Sequence, residues 1–519
     1  MAKIGFDWGT TTTSVSFFQP EGNFYDYLRF GGSNLNTFPS VIAYRTNADG
    51  KVTRLIGEAA RKVTYSKKYD TYNNLKLNLN SSAKNLNGRQ KSTYEAVRDF
   101  IGTTIGEYVH MYGNPPEGIV FTIPDSWGKD IFQHPSLMLL EQIISDIGFD
   151  TDTQVTFYSE PVAAAAYYCK EICGEKFSGA LLIVDLGGGT IDLTLCKVEN
   201  ADRILVLKHC GETGETSAGC SGEAFDFAVA KKISDDNDLK LTSNQSKLFK
   251  LKNDFESAKI SAAANVDRLL REYYSAAPEK KEILATNEAV SVIYGEDEDE
   301  YSVTIGEIVE VFDEVNRNIL EKYVNEMLDC CNAEGIDTDN AENFRVILTG
   351  GFSNLYCVEV VVRKALGATL GGEDARFDLA INREFRSTAT AHGAAIIAEG
   401  NISVDVLFQK NAGFFYYDVF DNDKHKATLL KSRDLVRNLR EPIYFNRTLS
   451  GKYLEENSTV TIFIEDGQKV FNFDVKLDKL CPSREKFYTL GLSLGRRQTL
   501  FLHSIDNDGV QKQEPIGIS

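Results

Sequence analysis

IVDLGGGTIDLTL, residues 183–195, is the stretch of sequence that decides the fold. An apolar run ends at Asp185, three glycines and Thr190 follow, and a second apolar run begins after Asp192. This order predicts a β-hairpin with a glycine-rich turn. Because glycine lets a backbone approach an anion closely and aim its N–H groups at it, the turn is a candidate phosphate site.

A second stretch, near the start of the chain, repeats this order. The run IGFDWGTTTTSVSFF, residues 4–18, places Asp7 at the end of an apolar strand, Gly9 and several threonines in the turn, and a return strand after them. One such turn is most often an ordinary hairpin. Two of them, roughly 180 residues apart and each opening a mixed β/α half, predict a duplicated fold that clamps phosphates between two lobes.

A third element supports this interpretation, and two rival phosphate motifs do not fit. The predicted strand Val346–Leu348 meets Gly350-Gly351 and precedes a predicted helix, residues 356–366, although an ordinary strand-to-helix turn has the same pattern. The sequence GxxxxGK[ST] does not occur. The GGGTID run lacks the third glycine of the dinucleotide fingerprint and leads into a strand rather than a helix.

The pattern of polar and apolar residues changes near residue 400. Before this point helical and strand patterns alternate, as in an α/β protein. After it, short runs of alternating polar and apolar residues are separated by Asp-Gly turns, which is typical of an all-β module. We therefore predict an α/β domain over residues 1–400, with lobes of about 1–178 and 179–400, a linker at 401–410, and a β-sandwich module at 411–519.

Composition excludes several classes of protein. Hydrophobic residues make up 42% and charged residues 25% of the 519 residues, which excludes a wholly disordered chain. The net charge of −19 argues against nucleic acid as a main partner. There is no apolar run of eighteen residues, no apolar signal region after Met1, and no CxxC among nine cysteines. We therefore expect a soluble, cytoplasmic protein with reduced thiols and no membrane partner.

The motifs together resemble those of the actin, sugar-kinase and heat-shock chaperone superfamily, and most strongly the seventy-kilodalton heat-shock protein family. The resemblance covers about residues 3–400 and continues more faintly into the β module, at LFLHSIDNDG (500–509). The stretches that carry it, in the family's order, are IGFDWGTTTTS (4–14), SEPVAAAAYY (159–168), IVDLGGGTIDLTL (183–195), SAGCSGEAFD (217–226), ILTGGFSN (347–354) and ATAHGAAI (389–396). The resemblance implies a two-lobed, duplicated actin-like (ribonuclease H-like) ATPase domain followed by the β sandwich.

The family's motifs also imply a role for each matching residue. ATP or ADP would bind with Mg²⁺, and a K⁺ ion would sit near Asp192. The implied catalytic residues are Lys76, Glu160, Asp185 and Thr190, with Lys76 against the γ-phosphate and Glu160 orienting the attacking water. The implied metal ligands are Asp7, Asp185 and Asp192. The implied nucleotide-binding residues are Gly9, Thr10, Thr11, Thr12, Gly187, Gly188, Gly189, Glu256, Lys259, Gly350, Gly351 and Ser353.

Composition alone gives plainer readings of two of these positions. Lys76 on its own reads as a surface lysine. Glu256 and Lys259, which the resemblance places around the adenosine, read as a salt pair on a helix surface. Pro124 resembles the proline proposed to relay the nucleotide state.

The sequence also departs from the family at several positions. Thr12 stands where the family has Asn, and Ser387 where it has an acidic residue. Ile260 and Asn354 replace two arginines beside the nucleotide. VDVLF, residues 404–408, is only similar to the family's interdomain linker. Because the sequence ends at Ser519, we expect a member without the helical lid.

The resemblance implies an ATP-hydrolysing, chaperone-like protein. The nucleotide state would control how the β module binds an unfolded peptide or protein client, with a co-chaperone and a nucleotide-exchange factor as further partners. The alternative is a nucleotide-dependent binding protein with little turnover that docks one dedicated partner. The C-terminal β module argues against an actin-like filament protein and against a sugar kinase.

Overall fold

The computed structural model describes most of the chain and divides it into two compact units. Unit 1 comprises residues 1–126, 139–204 and 209–403, and unit 2 comprises residues 127–138, 205–208 and 404–519. The described residues are 3–64, 66–80, 91–128, 134–151, 154–173, 177–213, 220–295, 298–370, 372–377, 386–417, 423–450, 459–466, 469–495 and 499–516.

Strands and helices alternate in unit 1, whereas unit 2 is dominated by strands. The strands are β1 (Ile4–Trp8), β2 (Thr12–Gln19), β3 (Phe24–Tyr27), β4 (Phe38–Pro39), β5 (Ile42–Thr46), β6 (Val52–Ile56), β7 (Asp70–Tyr72), β8 (Ile119–Ile123), β9 (Val155–Ser159), β10 (Gly179–Leu186), β11 (Thr190–Glu199), β12 (Arg203–Thr213), β13 (Glu288–Tyr294), β14 (Asp299–Thr304), β15 (Phe344–Thr349), β16 (Ser403–Val406), β17 (Asn411–Tyr417), β18 (Lys424–Leu430), β19 (Ile443–Tyr444), β20 (Leu449–Ser450), β21 (Thr459–Asp466), β22 (Lys469–Lys476), β23 (Phe487–Leu494), β24 (Leu500–Asp506) and β25 (Gln511–Pro515). The α-helices are α1 (Glu58–Arg61), α2 (Thr93–Tyr112), α3 (Asp125–Gly128), α4 (Pro135–Asp146), α5 (Glu160–Tyr167), α6 (Gly222–Asp236), α7 (Gln245–Ser261), α8 (Ala263–Ser275), α9 (Pro278–Ala285), α10 (Ile305–Phe312), α11 (Asn318–Ala333), α12 (Tyr356–Ala365) and α13 (Ala389–Glu399). Short 3₁₀ turns lie at Phe30–Gly32, Leu241–Ser243, Gly351–Asn354 and Val436–Leu439, and π turns at Tyr168–Ile172 and Asp313–Arg317.

The two main sheets of unit 1 are built alike around the two predicted hairpins. In the first sheet the order is β3-β2-β1-β8-β9, with β4 also on β2, and in the second it runs β15-β10-β11-β12. The hairpin strands β1/β2 and β10/β11 pair antiparallel, and β1 and β10 each have a parallel neighbour, β8 or β15. Both predicted hairpins are therefore confirmed, and the same strand order recurs in the two halves.

Two helices made of small residues lie between these sheets. Helix α5 packs against β10 and β11, α13 packs against β1, β2 and β8, and the two helices pack on each other. Alanine and glycine allow this close approach, since a Cβ added at Gly393 of α13 would lie 1.7 Å from the carbonyl oxygen of Ala163 in α5. A Cβ at Gly5 of β1 would likewise lie 2.2 Å from the carbonyl oxygen of Ala391.

Smaller elements complete unit 1. Strands β5, β6 and β7 form a separate sheet, and β13 and β14 form a hairpin. The apolar stripe of the predicted helix near residues 92–111 is largely buried in α2, at Val97, Ile101 and Ile105, and this helix starts with a capping box at Ser92. The sequence predicts one helix over residues 308–332. The structure instead has α10 and α11 joined by the π turn at 313–317.

Unit 2 contains two antiparallel sheets that share one apolar core. One has the order β18-β17-β21-β22, and the other β19-β23-β24-β25, with β20 on β23. Alternate side chains of both sheets, such as Phe414, Ile462 and Leu492, are fully buried in the same cluster. Among the described residues of the whole chain, no helix is long and apolar enough to cross a membrane.

The close contact of α5 and α13 gives a testable prediction. We expect Gly393→Ala to lower the free energy of unfolding by about 1–3 kcal/mol or more, because the new methyl group would meet the backbone of α5. Gly106→Ala in α2 is the matched control. Nothing lies within 4 Å of a Cβ there, so this change should stabilise the helix by about 0.5–1 kcal/mol. Thermal and urea unfolding measure both, and a neutral Gly393→Ala would contradict the contact.

Candidate functional site

The two glycine-threonine turns face each other across a cleft in unit 1. A Cβ added at Gly188 would lie 2.8 Å from Cγ2 of Thr11, and one at Gly189 would lie 2.4 Å from Oγ1 of Thr10. Glycine is therefore required on one side of the contact because threonine side chains occupy the other. The turns open into a cavity of about 600 Å³.

Neighbouring backbone and hydroxyl groups hold both turns in place. Ser40 donates its hydroxyl to the carbonyl of Gly9 (2.8 Å) and its N–H to the carbonyl of Thr11 (2.9 Å). In the second turn, the N–H of Glu223, in the first turn of α6, donates to the carbonyl of Gly188 (2.7 Å). These carbonyls are thus occupied by the protein, as in a turn that offers its N–H groups to an anion.

Most of the residues predicted from the sequence line this one cavity. Two do not: Asp192 is fully buried, and Ser353 is buried with its hydroxyl donating to the carbonyl of Gly350 (2.7 Å). The predicted residues that line the cavity are Asp7, Gly9, Thr10, Thr11, Thr12, Lys76, Glu160, Asp185, Gly187, Gly188, Gly189, Thr190, Glu256, Lys259, Gly350 and Gly351.

Asp7 and Asp185 occupy equivalent positions in the two sheets. Each lies at the end of its hairpin strand, opposite a threonine on the parallel neighbour. Thr122 donates its hydroxyl to Oδ1 of Asp7 (2.7 Å), and Thr349 donates to Oδ2 of Asp185 (3.1 Å). The two halves therefore present one carboxylate each, held in the same way.

Burial and mutual repulsion make these carboxylates hard to ionise. Burial, together with the charge of Glu160, raises the pKa of Asp7 to about 7. Burial and the charges of Glu160 and Asp7 raise the pKa of Asp185 well above its usual range. A cation bound between them would favour the ionised forms, because an opposite charge lowers the pKa of a carboxyl.

Asp192 lies directly behind the second turn, paired in register with Asp185 across the hairpin. Burial, and then the charge of Asp125, raise its pKa well above the usual range. A hydrogen bond from the hydroxyl of Thr190 acts in the opposite direction and favours the ionised form. Carboxylate oxygens are the ligands that Mg²⁺ and other hard cations take, so the donor set fits a cation.

The residues present fit a cation that keeps part of its hydration shell. Among the described residues no group of three His, Cys, Asp or Glu side chains has the arrangement of a direct metal cluster. Mg²⁺ keeps much of its hydration shell in proteins, usually binding one or two carboxylates together with phosphate oxygens. Asp7 and Asp185 fit this mode.

Lys76 is buried in the cleft rather than lying on the surface, as composition alone would suggest. Its side chain is 3% exposed, and its ammonium group forms an ion pair with Glu160. The charge of Lys76 partly offsets the effects that raise the pKa of Asp7. A cation and a carboxylate therefore stand together beside the candidate metal ligands.

Glu256 and Lys259 do not form with each other the surface salt pair that their spacing suggests. Each has its own partner: Lys252 donates to Glu256 (3.1 Å), and Lys259 pairs with buried Asp226. Burial raises the pKa of Asp226 to about 6 despite the opposing charge of Lys259. The ammonium group of Lys259 also lies 5.5–5.9 Å from the ring centroids of three residues, Phe225, Phe255 and Phe352.

The sequence pattern did not predict that Arg386 contributes a positive charge to the cleft. Arg386 lines it and donates to the carbonyl of Ser353 (3.0 Å) and to Oδ1 of Asn354 (3.3 Å). No local motif marks this arginine, because it is brought to the Gly350-Gly351 turn only by the fold. On another part of the wall Ile260 is 64% exposed.

Comparisons with known proteins agree with the resemblance seen in the motifs. No protein-family model matches the chain. Curated relatives named "Chaperone protein DnaK" do match it. Those of Elusimicrobium minutum, Endomicrobium trichonymphae and Thermoplasma volcanium are 24%, 27% and 26% identical over 272, 267 and 281 residues.

The matches cover only part of each protein. They include 50–51% of this chain and 40–41% of each relative's length. The chain thus spans about two fifths of the length of the relatives that it matches. The similarity supports a divergent member of the seventy-kilodalton heat-shock protein family.

The raised pKa of Asp7 predicts how stability depends on pH. Between its ordinary value of 3.8 and about 7 the folded protein keeps a proton that the unfolded chain has lost. The contribution of this group to stability therefore falls as pH rises through that window. Without added Mg²⁺, Asp7→Asn should stabilise the protein by about 2–4 kcal/mol at pH 8 and by much less at pH 5.

Thermal unfolding at both pH values measures this effect. Asp49→Asn is the control, since that side chain is 57% exposed, and it should change stability little at either pH. A stabilisation by Asp7→Asn that is the same at pH 5 and pH 8 would contradict the raised pKa.

Proposed function

We propose that this protein is an ATP-binding and ATP-hydrolysing, chaperone-like protein. Residues 1–400 would form a duplicated, actin-like ATPase domain with lobes of about 1–178 and 179–400. Residues 401–410 would be a linker, and 411–519 a β sandwich that binds the client. The observation that carries this proposal is the pair of facing turns, each beside an aspartate held by a threonine of the parallel neighbouring strand.

The turns would hold the triphosphate. Backbone N–H groups of Gly187, Gly188 and Gly189 and the hydroxyls of Thr10 and Thr11 suit phosphate oxygens. Gly9, Thr12 and Thr190 belong to the same two turns. Asp7 and Asp185 would hold Mg²⁺, which would neutralise negative charge on the phosphates.

The hydrolytic step would use Lys76 and Glu160. A buried ammonium group can stabilise the charge that the transferring phosphoryl group develops, which is the main catalytic demand of this reaction. Glu160 is positioned beside it by their ion pair and would orient the attacking water. Asp192 would hold the second hairpin and, with its buried carboxylate, a K⁺ ion.

The wall of the cleft that carries Glu256 and Lys259 would receive the nucleoside. Gly350, Gly351 and the apolar Ile260 also line this cavity. Ser353 is buried next to the two glycines and donates its hydroxyl to the carbonyl of Gly350. A Cβ at Gly350 would lie 2.4 Å from Oδ1 of Asp185, so this turn and the metal ligand are built against each other. The turn that follows β15 would therefore contact the nucleoside on one side and a metal ligand on the other.

Unit 2 would bind an unfolded peptide or protein client, with a co-chaperone and a nucleotide-exchange factor acting on the whole protein. None of the nine cysteines forms a disulfide, which is consistent with a reducing compartment such as the cytoplasm. We keep one alternative, a binding protein with little turnover. The ion pair that engages Lys76 with Glu160 favours it, because a lysine already paired has less freedom to follow a moving phosphoryl group.

Phosphate release at saturating ATP and Mg²⁺ tests the proposed hydrolysis. We expect Lys76→Ala and Asp185→Ala each to reduce turnover by about 100-fold or more, because each removes charge stabilisation from the phosphates. Lys280→Ala, an exposed lysine of α9, should leave turnover unchanged. No turnover by the parent protein despite calorimetric binding of ATP would favour the alternative.

Nucleotide control of client binding needs a separate measurement. Anisotropy of a labelled, unfolded apolar peptide should give affinities in MgATP and MgADP that differ by about 5-fold or more, since a coupling of 1–3 kcal/mol is typical. Asp185→Ala should abolish the difference. Equal affinities in the parent protein would remove the nucleotide control and leave the ATP site in place.

A further inference from the structure

Strand β22 forms one edge of a sheet in unit 2. It is the last strand in the order β18-β17-β21-β22, and within the described parts of the chain only β21 pairs with it. The two strands stay in register without a bulge from Thr459–Lys476 to Asp466–Lys469, and none of the residues of β22 is buried. Its outer side therefore presents a regular row of backbone N–H and C=O groups, which can pair with another strand.

The side chains of β22 leave apolar surface uncovered along this edge. Phe473 and Val475 pack against the apolar core of unit 2 but are only partly buried. Phe471 lies on the same face of the strand and is 44% exposed. On the opposite face Val470 is 53% exposed. A strand added at this edge would cover all four side chains.

The edge strand β25 of the other sheet is different in character. It is polar throughout, with Lys512 and Glu514 within it and Pro515 at its end. Charged residues and proline are among the means by which proteins prevent a sheet edge from pairing with another chain. In β22 there is no proline, and residues 470–473 are one asparagine and three apolar residues. Of these two edges, β22 is the one suited to pairing.

The sequence of β22, KVFNFDVK, is complementary to itself when two copies run antiparallel. A two-fold axis perpendicular to the sheet keeps the core face of one copy beside the core face of the other. With the axis at Phe473, Phe471 of each copy faces Val475 of the second copy, and Phe473 faces its own counterpart. The core face would then carry one continuous apolar row.

The same register also suits the opposite face of the strand. Asn472 of each copy faces Asp474 of the second copy, so an amide meets a carboxylate, and Val470 faces Lys476. No two like charges stand opposite each other. An axis at Asp474 would instead set two carboxylates against each other, which is destabilising in a cross-strand pair.

We propose that β22 is the surface on which a second copy of this chain docks. The two copies would join their edges antiparallel about a two-fold axis at Phe473, so that the sheet continues from one copy into the other. One strand pair buries less surface than most stable interfaces, so we expect a weak dimer, with a Kd on the order of 10–100 μM. This contact needs only unit 2 and no nucleotide, so it stands or falls separately from the proposed ATPase activity.

Sedimentation velocity of the full chain, without nucleotide and over concentrations that bracket this Kd, tests the contact. We expect a reversible equilibrium between monomer and dimer. Phe471→Lys should weaken it by about tenfold or more, because it sets a charge in the apolar row. Gln513→Lys, at an exposed position of the edge strand β25, is the matched control and should leave the equilibrium unchanged.

Two substitutions of Val470 test the register. Val470→Glu would place a carboxylate beside Lys476 of the second copy, whereas Val470→Lys would place two ammonium groups together, twice in each dimer. We expect the Kd of the Glu variant to be lower by about tenfold. Within one copy the preference is reversed, because Val470 faces Glu465 of β21. A difference in the stability of the monomer therefore cannot produce the expected order.

The outcomes decide whether a second copy occupies the edge. Dimers that Phe471→Lys weakens and Gln513→Lys does not, with Val470→Glu tighter than Val470→Lys, support the proposal. A chain that stays monomeric overturns it, as does a dimer that Phe471→Lys leaves unchanged or one that favours Val470→Lys. If the chain is monomeric and Phe471→Lys weakens binding of the labelled apolar peptide, the edge receives a client strand instead, and the second copy is likewise ruled out.

Discussion

The structure of unit 1 depends on the contact between two backbone turns. Thr10 and Thr11 of one hairpin press against Gly188 and Gly189 of the other so closely that a single added carbon would collide. This contact fixes the spacing of the two sheets at their hairpin ends. The cleft, the position of Asp7 opposite Asp185, and the line of buried carboxylates behind them all follow from that spacing.

This arrangement has an unfavourable electrostatic energy. Three aspartates and a glutamate are gathered there, and burial raises the pKa of each of the aspartates Asp7, Asp185 and Asp192. Among the described residues, Lys76 pairs with Glu160, and His209 pairs with Asp125, whose charge acts on Asp192. Such a site suits a cation, because a bound cation supplies positive charge beside the carboxylates.

Local patterns predicted the parts of the fold that local forces determine. The hairpins at Asp7 and Asp185 were readable because strand alternation and glycine turns lie within a few residues of each other. That the two hairpins face one cleft could be predicted only because the motif occurs twice. The same reasoning could not find Arg386 or the pair of Lys259 with Asp226, because these contacts join residues more than thirty positions apart.

Other features escaped for related reasons. A single buried histidine such as His209 carries no periodic signal, and its meaning comes from a carboxylate on another sheet. The π turn at 313–317 interrupts a helix without altering its apolar stripe enough to be noticed. Burial of Lys76 likewise reflects the cavity that surrounds it and not its neighbours in sequence.

The helix pair between the sheets has a mechanical consequence. Helices that interlock through long side chains resist sliding, since ridges must climb out of grooves. Here α5 and α13 touch through alanine and glycine, with backbone against backbone at Gly393. A helix pair that meets in this way presents few side-chain ridges that would oppose a rotation of one sheet against the other.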